Sequence, residues 1–256
     1  MNSSRVFVAI VLVVLFAVQG PLPAQEQTPS AVRFPYPEKL IYSIEWRLVT
    51  AGNATVDMSR AASNGWQTSL DLQSVGWVNR FYRILDSYKV SSTQNFCGLN
   101  SVLDAQEGKR HAISSLTFDA NRHRVRYDDR DLVKNQTTNK ELAVSPCTHE
   151  IIGALQTLRA SGLQPGKSML LPITDGKKLA TARIEGQAKE SISISGKTYA
   201  TVRYEAFLFD NVLYKRKGRL FIWITDDEDR VPVQLRLQMG FPVGNVTIHL
   251  DKQQKT

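Results

Sequence analysis

The sequence predicts a mainly β fold: an antiparallel sheet that curls into a barrel or half-barrel, with one or two short helices. Three observations carry that expectation. Apolar side chains recur at every second position over most of the chain, which is the period of a half-buried strand. Turn signals such as Asn64-Gly65, Pro165-Gly166, Asp175-Gly176 and Ser195-Gly196 punctuate these stretches. Helical periodicity is scarce, and strands in succession with short turns favour an antiparallel sheet that curls.

The first 24 residues read as a secretory leader. Arg5 supplies the positive start, Val6 to Val18 form an apolar run, and Pro21-Leu22-Pro23-Ala24 ends in a small residue. The run is 13 residues long, short of the roughly 20 that a membrane-spanning helix needs. A retained anchor is the alternative reading, and no later stretch is long and apolar enough to span. Cleavage after Ala24 would leave 232 residues in an extracytoplasmic space. Residues 25–37, with Pro29, Pro35 and Pro37, form an extended polar lead-in, and 38–252 a single β domain.

Within that domain, Leu40, Tyr42, Ile44, Trp46 and Leu48 share one face of the first strand. Ala51-Gly52-Asn53 reads as a turn, and Ala54, Val56 and Met58 continue the alternation. Asn64-Gly65 marks a hairpin before Trp66, Thr68, Leu70 and Leu72. Between Val75 and Leu85 the spacing shifts toward a helical period, which predicts a short helix or crossover. Strands resume near 86–93, 102–105, 110–118 and 124–127. A second helix is expected with Ser145 as N-cap, Pro146 at its first position, an apolar stripe of Ile151, Ile152, Leu155 and Leu158, and Gly162 as its stop. The C-terminal part is dense in strands. Val202, Tyr204 and Ala206 alternate, then Leu220, Ile222 and Ile224, then Val233, Leu235 and Leu237, then Val246, Ile248 and Leu250.

Three segments resemble a known family: EKLIYSIEWRLVTAGNATVDM at the start, LQPGKSMLLPITDGKK, and KRKGRLFIWITDDEDRVPVQLRLQ. The opening tyrosine strand with Ala51-Gly52, the turns Pro165-Gly166 and Asp175-Gly176-Lys177, and the pattern of Trp223, Asp226-Asp227 and Val231-Pro232-Val233 are similar to the bacterial exported family of the domain of unknown function 3108. The likeness runs from about Glu38 to Leu250. It implies a periplasmic, sheet-dominated fold, and it brings no activity, cofactor or catalytic residue with it.

The chemistry-bearing residues are sparse. His111, His123, His149 and His249 fall in no metal-ligand spacing. The run Asp226-Asp227-Glu228-Asp229 lacks the glycine and spaced ligands of a calcium loop and reads as a hairpin tip. No nucleophile elbow, Ser-x-x-Lys or glycine-rich phosphate loop is present. No cofactor, metal or catalytic residue is therefore expected. Cys97 and Cys147 form a disulfide if export and geometry allow it, with two buried free thiols as the alternative; the closed loop would add about 4 kcal/mol.

Charge and aromatic pattern point toward binding. The net charge is +8, or +7 without Arg5, which favours anionic surfaces. Lys215, Arg216, Lys217 and Arg219, flanked by Tyr214 and Phe221, form a basic cluster suited to phosphates of a lipid or acidic glycan. Its plain alternative is a charged edge that blocks strand pairing. The strand 219–225 is apolar on both faces, with Leu220, Ile222 and Ile224 on one and Phe221 and Trp223 on the other. Either a helix covers the second face or that face lines a cavity. Tyr42, Trp46 and the run Trp77, Phe81, Tyr82 add aromatic surface. The expected function is a non-enzymatic envelope protein that binds an amphiphile such as a lipid or glycolipid through Tyr42, Trp46, Phe221, Trp223, Lys215, Arg216, Lys217 and Arg219. A protein-interaction scaffold and an unrecognised hydrolase are the alternatives. Nucleic acid fits poorly, because the chain is exported and carries no binding motif.

Overall fold

A computed structural model describes residues 36–240 and 243–255. The predicted leader and nearly all of the lead-in lie outside the described residues.

The first half is a meander of eight strands with one short helix. These are β1 (Glu38–Trp46), β2 (Val49–Arg60), β3 (Trp66–Ser74), α1 (Gly76–Phe81), β4 (Ile84–Ser92), β5 (Gly98–Glu107), β6 (Arg110–Asp119), β7 (Arg124–Asp131) and β8 (Gln136–Ala143). A longer helix, α2 (Ile151–Ser161), follows. The second half is a meander of six strands: β9 (Ser168–Thr174), β10 (Leu179–Ile194), β11 (Lys197–Phe207), β12 (Gly218–Thr225), β13 (Pro232–Met239) and β14 (Asn245–Lys255). Because β14 pairs antiparallel with β1, the two meanders fuse into one 14-stranded sheet, ordered β8-β7-β6-β5-β4-β3-β2-β1-β14-β13-β12-β11-β10-β9. The sheet is not closed. Its edges, β8 and β9, are joined in sequence through α2.

The alternation read from the sequence is what builds β1. Glu38, Leu40, Tyr42 and Ile44 are buried, and the residues between them are half-exposed. Both edges are guarded against pairing with another chain. On β8, seven of eight residues are exposed and Lys140 and Glu141 are charged. On β9, Pro172 has no N–H to offer, which an edge strand tolerates, and its carbonyl accepts from the His149 amide at 2.9 Å.

Registers place Leu220, Ile222 and Ile224 of β12 on the side where α2 lies, in one core cluster with Ala154 and Leu158 of the helix, Ile184, Val202 and Tyr204. Leu158 is fully enclosed, a burial worth about 1.5–3 kcal/mol for such a side chain. The opposite face of β12 is apolar for a different reason. Phe221 and Trp223 pack in a cluster that includes Ile192, Ile194 and Tyr199 of the β10–β11 hairpin. Hairpin side chains, rather than the helix, cover that second face.

The helix begins later than its N-cap signal suggests. Ser145 does not cap it; Glu150 does, accepting from the amides of Ile152 (2.6 Å) and Gly153 (2.5 Å). Residues 145–149 are held out of the helix, with a bend at Pro146 and Cys147, by competing bonds. The Cys97–Cys147 disulfide forms, Gly98 N donates to Thr148 O at 2.9 Å, and His149 makes a parallel bridge with Ile173. The predicted stop is where expected, with Gly162 left-handed at φ 56°.

Both ends of α2 are therefore fastened. The disulfide holds its approach, and Gly153 brings the first turn close to the β4–β5 connection: a Cβ there would lie 2.7 Å from the Phe96 carbonyl oxygen. At the other end the fully buried Arg159 guanidinium donates to Glu38 (3.0 and 3.3 Å), to the Arg230 carbonyl (2.7 Å), to the Asp229 carbonyl (3.2 Å) and to Gln156 Oε1 (3.0 Å).

Candidate functional site

The two wings of the sheet face each other around a cavity of about 270 Å³. One wall is strands β3 to β7, through Leu70, Leu72, Tyr88, Leu103, Leu116 and Tyr127. The other comes from distant chain: Ile151 of α2, Thr174 and Asp175 at the β9–β10 turn, and Leu213 and Tyr214 of the loop that precedes β12. Period-two alternation puts the leucines on this face. Only the curl of the sheet brings the second wall to them.

The β9–β10 turn sits against β6 and β7 because Gly176 permits it. Its φ is +83°, and a Cβ would lie 2.3 Å from the Tyr127 ring and 2.5 Å from Leu116. Asp175 shapes the same turn by accepting from the amides of Lys177 and Lys178, both at 2.9 Å. The Lys177 ammonium lies 5.8 Å from the centre of the Tyr127 ring. Lys140 donates to the Lys177 carbonyl, and Lys178 donates to the Asn211 carbonyl, which ties the turn to the 208–217 loop. That loop continues from Tyr214 directly into the exposed Lys215, Arg216 and Lys217. A mostly apolar cavity thus opens beside a set of lysines and an arginine on two adjoining connections.

Several polar groups in and behind the cavity wall are engaged with one another. Tyr88 donates toward Glu150 Oε2 at 3.2 Å, with Ser101 Oγ 3.3 Å from the same hydroxyl. Burial raises the Tyr88 phenol well above its ordinary range and pushes Tyr127 up to about 12. Burial also raises the Glu150 carboxyl to about 7, opposed by its two amide bonds and by Tyr88. Asp86 is raised by burial and by neighbouring Glu107, while its Oδ1 accepts from Gln106 N at 3.0 Å.

The residues expected from the sequence to bind ligand fall in three places. Tyr42 is buried on the α2 side of β1, where its hydroxyl donates to the Pro232 carbonyl at 2.9 Å and burial raises its pKa. Trp46 ends the same strand, partly exposed, donating to the Val243 carbonyl at 2.6 Å. Phe221 and Trp223 leave β12 on the face opposite Ile222, yet they belong to the same buried cluster as Tyr42. The Arg219 guanidinium is 4.6 Å from the Phe221 ring centre, and the Trp223 indole donates to Glu190 at 2.5 Å. Arg219 is held by Glu205 through bonds of 2.7 and 2.9 Å, which lower the Glu205 carboxyl below its ordinary value. None of these five lines the 270 Å³ cavity. Lys215, Arg216 and Lys217 stand beside it, next to its lining residue Tyr214.

The cavity residues themselves were visible in the sequence only as strand faces: Leu70 and Leu72 alternate cleanly. Other polar candidates are absorbed locally. Asp226 pairs with Lys189 (2.7 Å), Asp227 accepts from Thr225 (2.6 Å), and Asp229 pairs with Lys255. His111 lies 2.8 Å from Asp104, His249 3.4 Å from Glu45, and His149 Nδ1 2.8 Å from the Phe96 carbonyl. Among the described residues no helix is long and apolar enough to cross a membrane.

Among solved structures, the chain is similar to a β-barrel-like protein of domain of unknown function DUF1849 from Brucella abortus. The TM-score is 0.59 at 9% identity, over 88% of this chain and 100% of that one. That likeness is one of fold. A protein with a YmcC-like fold from Bacteroides fragilis aligns at 7% identity over 88% of this chain and 100% of its own, with a TM-score of 0.39. Lipoprotein LppX from Mycobacterium tuberculosis aligns at 12% identity over 86% and 87%, with a TM-score of 0.26. No match was found among the curated proteins. Residues 41–251 match the family described as "Protein of unknown function (DUF3108)", and the chain belongs to that family.

Proposed function

We propose that this chain is a non-enzymatic binding protein for one amphiphile, a lipid or glycolipid with an anionic head, in an extracytoplasmic compartment. The observation that carries the reading is the pairing of an apolar cavity with free-standing cations at its side. Leu70, Leu72, Leu103 and Leu116 offer the tail an apolar wall, and Lys177, Lys215, Arg216 and Lys217 offer the head charge-assisted bonds. At about 270 Å³ the cavity is near the lower end of ordinary ligand sites, which run from about 300 to 1,000 Å³, so it suits a single chain. The Cys97–Cys147 disulfide supports the compartment, since such a bond persists in oxidising surroundings. It agrees with a leader removed after Ala24, a lead-in to residue 37 and a functional domain over 38–252.

The test is binding of a straight-chain alkyl phosphate, measured by calorimetry and native mass spectrometry against the alkyl trimethylammonium of equal length. The phosphate should bind one to one and more tightly. Replacing Lys215, Arg216 and Lys217 together with Gln should remove that preference without loss of fold. Equal, absent or unsaturable binding of both would overturn the reading. N-terminal sequencing of the exported protein checks the leader, and an N-terminus still at Met1 would refute it.

A further inference from the structure

Two apolar cavities meet at one side chain. The first, between the wings, is bordered on the helix side by Ile151, the opening residue of α2. The second, about 140 Å³, lies between α2 and strands of the second meander, and Ile151 lines it too. Every residue around this second cavity is Ala, Ile or Leu, including Leu155, Leu158, Ile184 and Ile222. A void with such walls holds no water and accepts an apolar guest. In a close-packed interior it also costs stability that a guest would restore.

We propose that the two cavities are successive segments of one acyl-chain site, with Ile151 as the partition that sets the chain length accepted. The inference rests on the amphiphile-binding reading and names its ligand more closely: a single unbranched chain, held head-first at the basic loops. The helix itself cannot swing aside to join the cavities. Its approach is tied by Cys97–Cys147 and by the His149 bridge to Ile173, and its far end by Arg159 to Glu38. What remains free to move is the Ile151 side chain, which is half-buried. At roughly 30 Å³ per water-sized group, the first cavity takes roughly nine such groups and the second roughly four or five more. The position and size of the residue at 151 therefore decide whether a longer chain gains contact past the first segment.

The experiment is a titration of the disulfide-bonded protein with a homologous series of straight-chain alkyl phosphates, for wild type, Ile151→Ala, Ile151→Phe and Leu155→Phe. Leu155 borders only the second of these two cavities, so its enlargement fills that segment and leaves the first intact. Affinity should rise roughly fourfold per added methylene until the available segment is full. Ile151→Ala should carry that rise to longer chains than wild type, and Ile151→Phe and Leu155→Phe should end it at shorter ones. Should one aromatic variant misfold by circular dichroism, the other and Ile151→Ala still decide. A plateau at the same chain length in wild type and the folded variants overturns the partition while leaving amphiphile binding in place. No binding of any member by wild type removes both.

Discussion

Replacing Glu38 with Gln should destabilise this protein more than loss of any of its exposed ion pairs, because it takes the carboxylate from a guanidinium buried in the core. Glu38 opens β1, Arg159 lies in the last turn of α2, and both side chains are essentially inaccessible, at 1% and 0% exposure. Arg159 meets the carboxylate twice, at 3.0 and 3.3 Å, and Gln253 adds a third bond to Glu38 at 3.0 Å. Neutral Gln takes the carboxylate from a guanidinium that also donates to carbonyl oxygens of Asp229, Arg230 and Gln156. Breaking a buried pair from one side costs about 3–5 kcal/mol. The carbonyl acceptors that stay in place argue for the lower end, about 3 kcal/mol. In urea that loss lowers the unfolding midpoint by about 1–2 M for ordinary slopes. The exposed pair Lys39–Asp57, at 43% and 46% exposure, is the comparison: Asp57→Asn should cost no more than about 1 kcal/mol. The double change Glu38→Gln with Arg159→Met should recover much of the loss, since both buried charges are then gone. A single variant within 1 kcal/mol of wild type, by the scale of exposed pairs, would show that this pair does not hold α2 in place. So would a double variant no more stable than the single.

Three more changes test other joints. Replacing both Cys97 and Cys147 with Ala should cost about 4 kcal/mol through the freed loop, read by urea unfolding, and a loss below about 1 kcal/mol would contradict the clamp. Gly176→Ala combines a left-handed φ with a Cβ against Tyr127, so it should cost about 2–3 kcal/mol. Gly196→Ala has a similar φ of +80° but nothing within 4 Å, so it should cost only about 1 kcal/mol, and equal losses would refute the docking role of the turn. Glu150 gives a pH signature. Its folded carboxyl sits near 7 against an ordinary 4.5, so the folded state holds a proton that the unfolded state has released. Its contribution is present below pH 4.5 and is lost as pH rises through 7. Buried His149, shifted down from 6.5 by burial, acts in the opposite sense. The comparison of wild type with Glu150→Gln isolates the carboxyl: the wild type should lose stability relative to the variant between pH 4.5 and 7, and parallel stability curves would count against it.

The sheet was legible because its strands carry their pattern locally. Leu40, Tyr42 and Ile44 alternate on β1, Asn64-Gly65 marks the β2–β3 turn, and Gly162 ends α2. The start of α2 was not legible, since Ser145-Pro146 is a sound local cap signal that loses to the disulfide and to the bridge from His149 to Ile173. Strand β8 carries no alternation because nearly all of it is wet. For the same reason it left no signal in the hydrophobic pattern. Two apolar faces on β12 were readable, but not what covers the second. That depends on the β10–β11 hairpin, whose Ile192, Ile194 and Tyr199 join the Phe221 and Trp223 cluster. The cavity was hidden most deeply: Leu70 and Tyr214 are 144 positions apart in the sequence, and only the curl of the sheet brings them to one space.

That the sheet stays open explains why a cavity exists at this place. In a closed barrel the hydrogen-bond ladder continues around the circumference and interior side chains set the fill. Here the ladder stops at β8 and β9, and the gap is spanned by other means. The Gly176 turn rests on Tyr127 and Leu116, the Cys97–Cys147 bond draws the 145–149 segment to the first wing, and α2 fills the space beside the second meander. Such contacts fix the wings at a few points rather than along a continuous ladder. Space therefore remains between those points, walled by the strand faces that would otherwise have packed on each other. The side of that space is where the connections 175–178 and 208–217 meet, and these carry the lysines. The apolar interior and its charged neighbours are thus one consequence of leaving the seam between the edge strands to a turn, a disulfide and a helix.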